Sequence, residues 1–132
     1  MNVVEYGNDI LVIDGMEFAD DTMPGVDYII PDVSYLVAKK KNIKGIVITH
    51  GHLDHIGAVK NIIESLGYPT IYTSPLTIGM IKRSLDEKDA KNLKFKLVDP
   101  DMDIFKLGAF TLEFFRVNHS IPESMGLSLH TP

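Results

Sequence analysis

The 132-residue sequence contains no cysteine, so neither a disulfide framework nor a thiolate metal site can form. It has no apolar run approaching the length of a membrane span, and its first residues lack a secretory pattern. Both features lead to the expectation of a chain that works in the cytoplasm and makes no membrane contact. Positive charge is also in deficit: 13 Lys and Arg stand against 18 Asp and Glu, a formal net charge of −5. That balance argues against a broad basic platform for nucleic acid. It leaves room for an enzyme that acts on nucleic acid, because bound metal ions add local positive charge that a residue count ignores. There is no internal repeat and no low-complexity segment. Hydrophobic residues make up 45% of the chain, enough for a core, and the length allows one domain or part of one.

What the chain does have is a cluster. Three of its five histidines fall in His50-Gly51-His52-Leu53-Asp54-His55. The apolar run Ile46-Val47-Ile48 before it reads as a buried strand, and Ile56 to Leu66 after it reads as an amphipathic helix. The cluster therefore sits in the turn from strand end to helix start, where α/β folds present chemistry. His50 and His52, two apart in extended chain, can point their imidazoles the same way. Asp54 and His55 open the helix and face a different direction. A lone histidine near a strand end is commonly a surface or capping residue. Three histidines and an aspartate at this spacing fit the neutral imidazole and carboxylate ligands of catalytic zinc, in two groups that suit two ions.

The remaining chain supplies the scaffold and further candidates. Asn2 to Tyr6 and Ile10 to Ile13 read as a hairpin around Gly7-Asn8-Asp9, with Asp14 at the second strand's end. Asp14 there can serve local backbone N–H groups or support a metal ligand from behind. Residues 15 to 31 form a turn-rich acidic loop with Glu17, Asp20, Asp21 and Asp27, expected to be a solvated face. Asp32 can cap a helix from Val33 to about Lys41, whose Lys39, Lys40 and Lys41 suit its C-terminal end. Gly67 and Pro69 end the helix after the cluster, Thr70 to Thr73 is β-rich, and Ser74-Pro75 starts a helix running to about Leu85. Leu93 to Val98, Ile104 to Leu107, Phe110 to Val117 and Met125 to Leu129 read as strands. Phe110, Leu112 and Phe114 share one face by alternation, and Phe115 and Val117 lie on the other; two apolar faces would mean a sheet covered on both sides, as a layered sandwich requires. His119 ends a strand and, with His50 and His52, would complete a three-histidine site with a fourth position open. His130 has no evident partner.

The pattern His50-x-His52-x-Asp54-His55, with Gly57 following, resembles the signature of the metallo-β-lactamase superfamily. Three further stretches resemble ribonuclease J and its relatives: Gly25 to Asp32, Gly45 to His52, and Phe115-Arg116-Val117-Asn118-His119-Ser120-Ile121-Pro122-Glu123-Ser124. The Thr73 to Ile81 region fits as well. The resemblance implies an α/β fold, the αββα sandwich, with residues 1–132 forming the N-terminal half of such a domain without the inserted β-CASP domain. It implies a metal-dependent ribonuclease that cuts RNA internally and degrades it from the 5′ end, using one or two zinc ions or manganese. His50, His52 and His119 would hold one ion, and Asp54 and His55 would contribute to the other, with Asp54 and His55 next to the chemistry. Asp14 and Ser120 are candidates to support the ligands. The family's further ligands lie past the residues matched here, so the first site is expected to retain metal and the second to be mostly empty. A sheet face with Phe110 and Phe114 left uncovered is expected to favour a homodimer. Other readings are a thioesterase or lactonase of the same superfamily, and a metal-binding piece without catalysis.

Overall fold

The structure, a computed structural model, describes residues 1–16 and 24–132. Glu17, Asp20 and Asp21 of the expected acidic face lie outside the described residues. Among the described residues, eight strands form two sheets. Strands β1 (Asn2–Tyr6) and β2 (Asp9–Ile13) make the expected hairpin, turned by Gly7 at φ +60. β2 then pairs in parallel with β3 (Ile43–Val47), β3 with β4 (Ile71–Thr73), and β4 with β5 (Phe95–Leu97). β6 (Ile104–Leu107), β7 (Phe110–Arg116) and β8 (Met125–His130) form a separate antiparallel sheet.

The central strands are apolar on both faces because the five-stranded sheet lies between two layers. Ile10, Val12, Ile46, Ile48 and Ile71 meet the helices, packing with Val59, Ile63, Leu66 and Ile81. Leu11, Val47, Tyr72 and Val98 point the other way and meet Phe110, Leu112, Phe114 and Met125 of the second sheet. This corrects the expectation of an uncovered face. Phe110 is 0% and Phe114 4% exposed, because the second sheet folds onto the first within one chain. The ground for a homodimer through that face is thereby removed. The opposite face of β6–β8 is also unlike the expectation: it alternates Thr111, Glu113 and the half-exposed Phe115 rather than presenting a second apolar layer. His130 lies there, 2.8 Å from Glu113.

The helices are shorter than their periodicity suggests. The first, α1 (Ser34–Ala38), has Asp32 accepting the Ser34 N–H at 2.9 Å and is followed by a 3-10 turn over Lys40–Asn42. Lys39 is engaged in an ion pair with Glu5 at 2.8 Å. The single helix expected over 56–66 is two short ones, α2 (Leu53–Ile56) and α3 (Val59–Ile62). The cause is tertiary: the His55 carbonyl accepts the backbone N–H of Gly15 at 2.6 Å, which diverts it from the helical ladder. Gly67, at φ +81, ends this region as expected. Helix α4 (Pro75–Ser84) begins at the Ser74 cap, whose hydroxyl accepts the Thr77 N–H, and α5 (Glu87–Asn92) is capped by Asp86. None of the described helices is long and apolar enough to cross a membrane.

Candidate metal centre

The site forms where β2 and β3 end side by side. Asp14 follows β2 in a left-handed conformation, φ +58, and its N–H bonds the Val47 carbonyl at 2.9 Å. Aspartate tolerates this region better than most residues. The turn aims its carboxylate across the strand ends. Asp14 Oδ1 accepts the Thr49 N–H at 2.9 Å, both its oxygens lie 3.1 Å from Thr49 Oγ1, and Oδ2 lies 2.9 Å from His55 Nδ1. Asp14, foreseen as a supporting residue, thus touches His55 directly.

His50 is buried, and Thr49 Oγ1 lies 3.0 Å from its Nδ1. On the opposite edge of the ring, Nε2 lies 3.1 Å from His52 Nδ1. His119 arrives from the loop after β7, and its Nε2 also lies 3.1 Å from His52 Nδ1. Sixty-seven residues separate these two histidines in sequence. Ser120 Oγ stands 3.5 Å from His52 Nε2, the outer limit of a hydrogen bond. One nitrogen from each of His50, His52 and His119 lies within 4.8 Å of the others. Asp54 and His55 stand at the side of this triangle, with Asp54 Oδ2 3.5 Å from His55 Nε2 and the rings of His50 and His55 centred 3.9 Å apart.

The loop carrying His119 is held on both sides. Val117 N–H bonds the Ser124 carbonyl at 3.2 Å, and Met125 N–H bonds the Thr49 carbonyl at 3.2 Å, tying β8 to the histidine turn. Glu123, at φ +60, accepts the Leu76 N–H at the start of α4 at 2.8 Å. Met80 of α4 lies over Gly51, where an added Cβ would stand 2.5 Å from its sulfur. Sequence reasoning gave no role to Thr49, Glu123 or Met80, although all three lie in the stretches that resemble ribonuclease J.

The surroundings keep His50 in the neutral form that a metal ligand needs. Burial holds the pKa of His50 down to about 4, with further lowering from the neighbouring His55, His119 and His52 and an opposing pull from Asp14. At neutral pH His50 is an uncharged donor. Imidazole nitrogens converging this closely repel through their lone pairs unless a proton or cation lies among them. Neutral imidazoles are the usual ligands for zinc and other first-row divalent ions. The residues present therefore fit a divalent metal.

The metallo-β-lactamase superfamily sequence model matches residues 3–124. The chain is 40% identical over 131 residues to ribonuclease J of Mycoplasma pneumoniae, covering 98% of this chain and 23% of that protein. It is 38% identical over 133 residues to ribonuclease J 2 of Staphylococcus aureus strain MRSA252, covering 99% of this chain and 24% of that one. The chain thus spans about a quarter of the length of these curated relatives. Solved structures share its fold. The Rm3 metallo-β-lactamase superposes with a TM-score of 0.66 at 18% identity, over 98% of this chain and 49% of that one. YhfI from Bacillus subtilis superposes at 0.64 with 16% identity, over 97% and 49%.

Proposed function

The chain belongs to the metallo-β-lactamase superfamily, and on that premise we propose that it forms part of the catalytic domain of a metal-dependent ribonuclease of the ribonuclease J kind. The observation that carries this reading is the 40% identity to a ribonuclease J over 98% of the chain, well beyond the histidine motif itself. His50, His52 and His119 would hold one divalent ion, and Asp54 and His55 would contribute to a second. Zinc suits the imidazole donors, and manganese is compatible with the carboxylate side. A divalent ion bound there supplies Lewis acidity and, by lowering the pKa of water to about 7, a nucleophile at neutral pH.

The chain's own residues do the rest. His50, His52 and His119 each bring one ring nitrogen toward the same point. Asp14 anchors Thr49 and His55 from behind. Asp54, with its side chain more than half exposed, is free to orient a water or take up its proton beside a phosphodiester. The net charge of −5 argues against a broad basic platform, and bound cations would add positive charge locally for RNA phosphates. Cleavage both within RNA and from its 5′ end, and a cytoplasmic location, are part of this proposal, as the resemblance to the ribonuclease J family implies them.

The test is metal content and affinity of the purified chain by elemental analysis and by zinc and manganese titration, with His119→Ala beside it. Tight binding of at least one ion, lost in the variant, is the expected result. Cleavage of 5′-monophosphorylated RNA is then assayed against a small thioester and a lactone. Turnover of either small substrate with RNA left intact would replace the ribonuclease reading by another hydrolase of the superfamily.

A further inference from the structure

Thr49 hydroxyl has one proton and four neighbours within reach: Asp14 Oδ1 and Oδ2 at 3.1 Å each, His50 Nδ1 at 3.0 Å and, more distant, His55 Nδ1 at 3.4 Å. An ionised carboxylate only accepts hydrogen bonds, so the hydroxyl proton goes to Asp14. The Thr49 oxygen then faces His50 Nδ1 with a lone pair, and that nitrogen must carry a proton to complete the bond. The reverse orientation would set an unprotonated oxygen against the carboxylate. His50 is thereby held with Nδ1 protonated and Nε2 bare, and Nε2 is the atom that faces His52. The same reasoning applies to His55. Its Nδ1 lies 2.9 Å from Asp14 Oδ2 and 3.4 Å from Thr49 Oγ1, so its proton points to the carboxylate.

We propose that Thr49 is a positioning residue that relays the Asp14 carboxylate to His50, so that this one carboxylate holds a proton on Nδ1 of both His50 and His55. The inference rests on the metal-site reading above for its consequence, and on hydrogen-bond geometry alone for its content. Asp14 acts on His55 directly and on His50 through one hydroxyl. The two ligand groups therefore share one carboxylate, although they face different sides of the site. Such partners behind a ligand histidine are worth about 10- to 100-fold in metal affinity.

Three variants separate the roles. Thr49→Val keeps the shape and removes the hydroxyl, Thr49→Ser restores it, and Asp14→Asn removes the charge while tolerating the left-handed backbone. Long-range 1H–15N spectra of the chelator-treated protein read the tautomer of each ring without metal. His50 should show a protonated Nδ1 in the wild type and in Thr49→Ser, and lose that preference in Thr49→Val, with His55 unchanged. In Asp14→Asn both rings should change. Zinc titration of the same proteins should show at least tenfold weaker binding in Thr49→Val and near-wild-type binding in Thr49→Ser. A Thr49→Val protein whose His50 tautomer stays as in the wild type overturns the relay, whatever its metal affinity. Tautomers that respond as expected in a wild type that binds no zinc uphold the relay and overturn the metal reading instead.

Discussion

Glu123 and Leu76 join two walls of the site: the Glu123 carboxylate accepts the backbone N–H of Leu76 at 2.8 Å, clamping the His119 loop to the first turn of α4. The Ser74 hydroxyl takes the next N–H, from Thr77, so the helix start is served by one residue of its own and one from the loop. Replacing Glu123 by Ala should loosen the loop that positions His119 and weaken zinc binding by roughly tenfold, with only a small fall in melting temperature. Gln, which keeps an acceptor oxygen, should lie close to the wild type. Calorimetric titration of the three proteins decides this, and equal affinities would show that the loop is held by other contacts.

Gly45 is required by the meeting of the two sheets. A Cβ there would stand 2.6 Å from the Tyr72 ring and 3.2 Å from Leu107, and the Tyr72 ring is buried between the layers. Gly45→Ala should cost about 1–3 kcal/mol through overpacking. Gly79, inside α4 with nothing within 4 Å of the added carbon, is the contrasting case. Gly79→Ala should gain up to about 1 kcal/mol of stability, because alanine loses less backbone entropy in a helix. Urea denaturation of both variants should give shifts of opposite sign.

Phe110 occupies the middle of the interface between the sheets and is fully buried. Phe110→Ala should destabilise by about 3–5 kcal/mol, from lost transfer energy plus the cavity left behind. A cost below about 1 kcal/mol in the same denaturation experiment would mean that the second sheet docks weakly in solution.

Asp9 links the sheets at their other end. It accepts the Ala109 N–H at 2.8 Å, in the turn between β6 and β7, and pairs with Lys44 at 3.0 Å. The Lys44 ammonium first, with the Ala109 N–H adding, holds the Asp9 carboxyl below the usual aspartate range. A carboxyl depressed in the folded state contributes stability that is fully present above its ordinary pKa and is lost as pH falls through the depressed value. The melting temperature should therefore drop on acidification below about pH 4, and Asp9→Asn should be lower at neutral pH with a shallower acid decline. Parallel acid profiles for the two proteins would show that Asp9 does not contribute.

Local chemistry was enough to read much of this protein. The hairpin of Asn2–Tyr6 with the strand ending at Ile13, the cap at Ser74, and the shared face of Phe110, Leu112 and Phe114 follow from turn residues and alternation, which act between near neighbours. His50, His52, Asp54 and His55 were visible as ligand candidates because their spacing is itself local. His119 was named as the third histidine of the site from its place at a strand end beside the first motif, without a geometry. The fold alone brings its Nε2 to 3.1 Å from His52 Nδ1, since nothing near residue 119 encodes how β7 lies against β3.

Tertiary structure decided the rest for the same reason. The break between α2 and α3 comes from the Gly15 N–H taking the His55 carbonyl, a bond between residues forty apart that no periodicity can announce. The covering of Phe110 and Phe114 depends on where the second sheet docks, and the alternation of β7 was equally compatible with a face left open. Sequence determined which side chains have the chemistry to hold a metal and which faces are apolar. Docking determined which of those groups meet, because hydrogen bonds such as Asp14 to Thr49 and His55 exist only once separate strand ends are brought side by side.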